Sequence, residues 1–171
     1  ARTLRVDRNR LALGGDSAGG NLAAVVALMA RDERSFPIAS QCLVYPVVDY
    51  RCATPSYERY AEGYGLLEAP AMRWFQQHYL GDEVTSSDWR ASPTLSHSHE
   101  NLPPTLLLSA QCDVLHDEGM AYGQCLKDAG VDVEQVNYVG MVHGFFGFLG
   151  LVDDAAHAHR GVADFLSRHW A

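Results

Sequence analysis

No run of basic residues interrupts this chain. Thirteen lysines and arginines stand against 21 acids, a formal net charge of −8. That argues against nucleic acid and against anionic membrane surfaces as partners. No apolar stretch approaches the length of a membrane span. Cysteine is scarce too: Cys42, Cys52, Cys112 and Cys125 form no C-x-x-C pair and show no zinc-ligand spacing. They read as reduced, mostly buried thiols of an intracellular protein, and the expected location is cytoplasmic. No internal repeat or low-complexity tract is visible. An initiator Met and a leader are also missing, so the lack of a targeting signal carries no weight.

What is present is globular. The 171 residues are 47 % hydrophobic and 20 % charged, enough for one domain with a real core. Arg10 to Leu13 is a short apolar run ending in Gly-Gly, consistent with a buried strand. From Ala18 the pattern turns helical, with Leu22, Val25, Val26 and Met29 at i, i+3, i+4 and i+7. Gln41 to Tyr45 reads as a second strand, stopped by Pro46. Residues 50–100 are richer in Tyr, Ser, Glu and Pro and carry one clear helix, from Pro70 to a stop at Gly81. Regularity resumes with Thr105 to Ser109 as strand, Asp117 to Ala129 as helix and Val131 to Asn137 as strand. A last helix starts near Asp153, with Ala155, His159, Val162, Leu166 and His169 on one stripe. This alternation predicts a parallel α/β sheet, with 50–100 as an excursion over the strand ends.

Gly15-Asp16-Ser17-Ala18-Gly19 matches G-x-S-x-G and stands between a predicted strand and a predicted helix, the context that gives the motif its meaning. In so sharp a turn side chains two residues either side of the serine collide, hence glycine at 15 and 19. Ser17 then opens a helix whose free N–H groups favour developing negative charge. A serine hydroxyl needs a base, and the base an orienting acid. Of eight histidines, His143 in "YVGMVHGFFGF" follows the last strand in a Gly-flanked loop. His78, His97, His99, His157, His159 and His169 read as surface or helix packing, and His116 as exposed. His97-Ser-His99 lacks a third ligand, so no metal is expected. For the acid, "SAQCDVLHDEG" offers Asp113 on the loop after a strand, whereas Asp117 and Glu118 open a helix, where capping and the helix dipole account for acids. The order Ser17, Asp113, His143 is that of α/β-hydrolases.

"GGDSAGGNLAA", "LVYPVVD", the "ASP" before a Pro-Pro strand, "CDVLHDEG" and "VHGF" together resemble the hormone-sensitive-lipase-like family of carboxylesterases. The resemblance runs from Val6 to the end and implies an α/β-hydrolase fold with Ser17 as nucleophile, Asp113 as acid and His143 as base. Val114 stands where the family usually has Pro, a change of loop stiffness. The family's His-Gly-Gly-Gly loop, which supplies oxyanion donors upstream of the nucleophile, is not among the sixteen residues before Ser17. Only the N–H of Ala18 remains as an oxyanion donor. The expectation is therefore the C-terminal half of such an enzyme, residues 1–171 forming one partial catalytic domain with a cap-like insertion at about 50–100 and the N-terminal half of the usual fold absent.

The expected activity is hydrolysis of short-acyl or small aromatic esters through an acyl-enzyme, without a cofactor. Tyr57, Tyr60, Tyr64, Trp74, Phe75 and Tyr79 are candidates to line the acyl or alcohol side, against ordinary packing of the insertion. The alternatives are a non-catalytic small-molecule-binding protein, as in the gibberellin receptors, and a low-activity truncated fragment. In the fold the resemblance implies, the nucleophile strand lies mid-sheet. A cut just upstream would bare its edge, so self-association or pairing with an N-terminal segment is expected.

Overall fold

The computed structural model describes residues 6–81 and 85–170. The first five residues and residues 82–84 of the expected insertion lie outside the described residues. Four parallel strands form one sheet in the order β1 (Ala12–Asp16), β2 (Ser40–Val44), β3 (Thr105–Cys112) and β4 (Val133–Val142). Parallel neighbours demand crossovers. α1 (Ala18–Glu33) joins β1 to β2, and α4 (His116–Asp128) joins β3 to β4. Between β2 and β3 lie α2 (Ser56–Arg59), α3 (Ala69–Leu80) and a 3₁₀ turn at Pro93–Leu95; α5 (Asp153–His169) closes the order.

The sheet is covered on both faces. On one, Ala23, Ala24, Ala27 and Leu28 of α1 meet Leu43, Leu107 and, from α4, Tyr122 and Leu126. On the other, Phe145, Ala158 and Phe165 pack on Cys42, Val44, Leu106 and Leu108. A third cluster joins the insertion to the acid loop through Tyr50, Tyr57, Met72, Val114 and Leu115.

Several expectations change. The first strand is Ala12–Asp16, not Arg10 to Leu13, and it is half-buried. Among the described residues it pairs with β2 alone, at the sheet's edge. β3 and β4 outrun their apolar stretches, ending at Cys112 and Val142. On α1 the buried face is the alanine face. Leu22 and Met29 are 53 % and 37 % exposed, because small side chains let the helix lie closer to the sheet. On α5, Ala155, Ala158 and Phe165 are the buried positions, with His159, Val162, Leu166 and His169 only partly covered. The thiols are all free, but only Cys42 is buried. No helix of the described residues is long and apolar enough to cross a membrane.

Candidate active site

Ser17 sits where β1 becomes α1, in the left-handed region at φ 54° and ψ −118°. Strain of that kind persists only when neighbours hold it, and here they do. The Ser17 N–H donates to the Val44 carbonyl at 2.9 Å; its own carbonyl accepts the N–H of Asn21 at 3.1 Å and of Val47 at 3.2 Å. A Cβ on Gly15 would lie 2.4 Å from the carbonyl carbon of Gly19, a clash of backbone against side chain that cannot relax locally. A Cβ on Gly19 would meet nothing within 4 Å. The steric demand for glycine thus falls on position 15 and not on 19.

Asp113 follows β3 directly, not four residues on, since the strand runs through Cys112. Its side chain is 1 % exposed. One oxygen accepts the Leu115 N–H at 3.0 Å; the other accepts the His143 Nδ1–H at 2.6 Å. With Nδ1 protonated, Nε2 is an acceptor, and the Ser17 hydroxyl donates to it at 3.0 Å. Tyr45, at the end of β2, packs its ring 4.6 Å from the imidazole. Ser17, Asp113 and His143 therefore form one hydrogen-bonded chain at the carboxyl ends of three parallel strands, where open α/β sheets carry their sites. Such a chain can draw the proton from a serine hydroxyl while a buried carboxylate holds the imidazole. Ala18 is the first residue of α1, so its N–H has no intrahelical partner.

Beside Ser17 and Ala18 opens a cavity of about 410 Å³. Its walls are mainly apolar: Leu22, Val47, Leu67, Met72 and Phe75, with Tyr50, His78 and Tyr79. Of the six candidate aromatics, Phe75 and Tyr79 line it. Tyr57 is instead buried in the insertion's core, Tyr60 packs edge-on against Tyr64, and Trp74 stacks on His78. Tyr50 carries no distinguishing pattern in the sequence, and Leu22 reads there only as part of the apolar stripe of α1.

The two helix-opening acids behave differently from the expectation. Neither acid caps α4: the N-cap residue is Leu115, without a side-chain cap bond, and the Asp117 N–H donates to the Ser56 hydroxyl at 3.3 Å. Asp117 accepts the Nδ1–H of His116, which is only 17 % exposed, and lies 3.6 Å from Arg59. Glu118 is buried, and its Oε1 accepts the N–H groups of Val48 at 2.8 Å and Asp49 at 3.1 Å. Burial pushes its carboxyl up to about 8, against the pull of those two N–H groups and with the help of nearby Asp49. His99 is buried, with Nε2–H donating to the Pro93 carbonyl at 2.9 Å. Among the described residues no group of three or more His, Cys, Asp or Glu is placed to hold a metal ion.

A family model for the alpha/beta hydrolase fold matches residues 1–147. The chain belongs to that family. Within it, the chain is similar to the hormone-sensitive-lipase-like esterases. It is 40 % identical over 171 residues to an ethyl acetate hydrolase of Pseudomonas putida, covering 99 % of this chain and 53 % of that protein. To the carboxylesterase NlhH of Mycobacterium tuberculosis it is 36 % identical over 167 residues, covering 95 % of this chain and 52 % of the relative. EstE1, a thermophilic and thermostable carboxylesterase cloned from a metagenomic library, superposes with a TM-score of 0.93. The identity there is 36 %, over 99 % of this chain and 58 % of the other. The chain thus spans about half the length of the curated relatives it matches. In the parallel sheet of this alpha/beta hydrolase, the hydrogen-bonded Ser17, Asp113 and His143 follow β1, β3 and β4 respectively.

Proposed function

We propose that this chain carries the catalytic centre of a carboxylic ester hydrolase working through an acyl-enzyme. Ser17 is the nucleophile, His143 takes and returns its proton, and Asp113 holds the imidazole. The N–H of Ala18 faces the developing oxyanion at the start of α1. The observation that carries this reading is the unbroken chain of hydrogen bonds from Asp113 through His143 to Ser17, beside an apolar cavity. The cavity's size and its apolar walls favour short-acyl or small aromatic esters. Residues 50–100 act as a cap, supplying Tyr50, Leu67, Met72, Phe75, His78 and Tyr79 to its lining.

A fluorophosphonate tests the reading directly, because it labels only a serine activated by a base. Labelling at Ser17, lost in Ser17→Ala and in His143→Ala, is the expected outcome. A chain that stays unlabelled while binding small esters would instead be a binding protein on this fold.

A further inference from the structure

We propose that Glu118 is a positioning residue for the nucleophile: its carboxyl anchors the Val48–Asp49 backbone and, through Val47, holds the turn that carries Ser17. The links run in sequence. The Val47 N–H donates to the Ser17 carbonyl at 3.2 Å, and the Val47 carbonyl accepts the Asn21 side chain at 2.8 Å. The next two N–H groups along the chain, those of Val48 and Asp49, both end on Glu118 Oε1. Glu118 in turn stands in the first turn of α4, whose entry is fastened by Leu115 N–H to Asp113. One carboxyl therefore ties the segment braced against the serine to the helix that follows the acid.

Position and chemistry set Glu118 apart from a capping acid. Its partners lie 70 and 69 residues away, and it is 2 % exposed. Removing the acceptor strands two adjacent buried N–H groups, which must turn elsewhere or draw water in. The segment that would shift is the one supporting Ser17, whose left-handed backbone relaxes once its supports move. Proton transfer from Ser17 to His143 depends on that distance, and a misplacement of about 1 Å can slow such a step by about 10²-fold. An amide in place of the carboxyl keeps an acceptor for both N–H groups, so acceptance and not charge is what the position demands.

The kinetic part rests on the ester-hydrolase reading, and the experiment separates the two. Glu118→Gln, Glu118→Asp and Glu118→Ala are compared in the full chain by kcat and KM on p-nitrophenyl acetate, rate of fluorophosphonate labelling, and amide exchange at Val47. Expected is near-parental kcat in Glu118→Gln and a loss of about 10²-fold in Glu118→Ala, KM little changed and Val47 exchange accelerated. Glu118→Asp, one methylene short, falls between and serves if the alanine variant does not fold. Equal kcat per labelled site in the parent and in Glu118→Ala overturns the proposal, as does a glutamine variant as slow as the alanine one. If the parent neither turns over nor labels, the ester-hydrolase reading fails. Val47 exchange then decides the positioning role, and unchanged exchange in Glu118→Ala sinks it.

Discussion

Replacing Glu118 with Gln should remove a large part of the alkaline loss of stability in this protein. In the folded chain Glu118 keeps its proton up to about 8, chiefly because the carboxyl is buried, while its ordinary value is 4.5. Between those two values the unfolded chain has released a proton that the folded chain still holds. Stability from this group is therefore complete below the unfolded pKa and is lost as pH rises through the folded one. At about 1.36 kcal/mol per unit the difference is worth about 4–5 kcal/mol over the whole window, and about 3 kcal/mol between about pH 5 and about pH 8. The amide still accepts the Val48 and Asp49 N–H groups but has no proton to lose. Urea unfolding at the two pH values reads this out: with a dependence of about 2 kcal/mol per M, the parental midpoint falls by about 1.5 M more than that of Glu118→Gln. Parallel falls in the two proteins would refute the reasoning, since they would mean that Glu118 is already ionised in the folded chain.

Gly15→Ala should abolish labelling at Ser17, because its Cβ meets Gly19 backbone at 2.4 Å, whereas Gly19→Ala, with open space, should retain it and melt at the same temperature or higher. Asp113→Ala should bring ester turnover to background. Asp117→Ala, which loses a half-exposed pair with Arg59 and a bond from His116, should change stability by less than about 1 kcal/mol and leave turnover intact. The reverse pattern would reassign the acid. The half-buried edge of β1 flanks an apolar groove of about 350 Å³ lined by Leu13, Val44, Phe146 and Leu166. Light scattering after size exclusion should therefore find association through this edge, with another copy or with an added N-terminal segment, and a well-behaved, fully active 18.8 kDa monomer would refute that.

The sequence by itself determined the parts of this protein that are decided locally. The strand–turn–helix around Ser17 is legible because a turn so tight needs a glycine where Gly15 stands, and that demand is met within five residues. α3 and α4 announce their ends through Pro70, Gly81 and Gly130 for the same reason: backbone geometry and missing donors act over one helical turn. Ser17, Asp113 and His143 stand out as candidates through the G-x-S-x-G motif and through which acid and which histidine stand in a loop after a strand, all of it local. Tertiary structure decided the rest. Leu22 and Met29 carry as strong an apolar signal as Leu28, yet only Leu28 faces the sheet, because alanines on its side allow the closer approach. β1 reads as a buried strand, but burial comes from neighbours, and here β2 is its one neighbour among the described residues. Asp117 and Glu118 look alike as helix-opening acids. Glu118 differs because the chain folds Val48 and Asp49, 70 and 69 residues away, onto its carboxyl, and no local pattern encodes a partner at that distance.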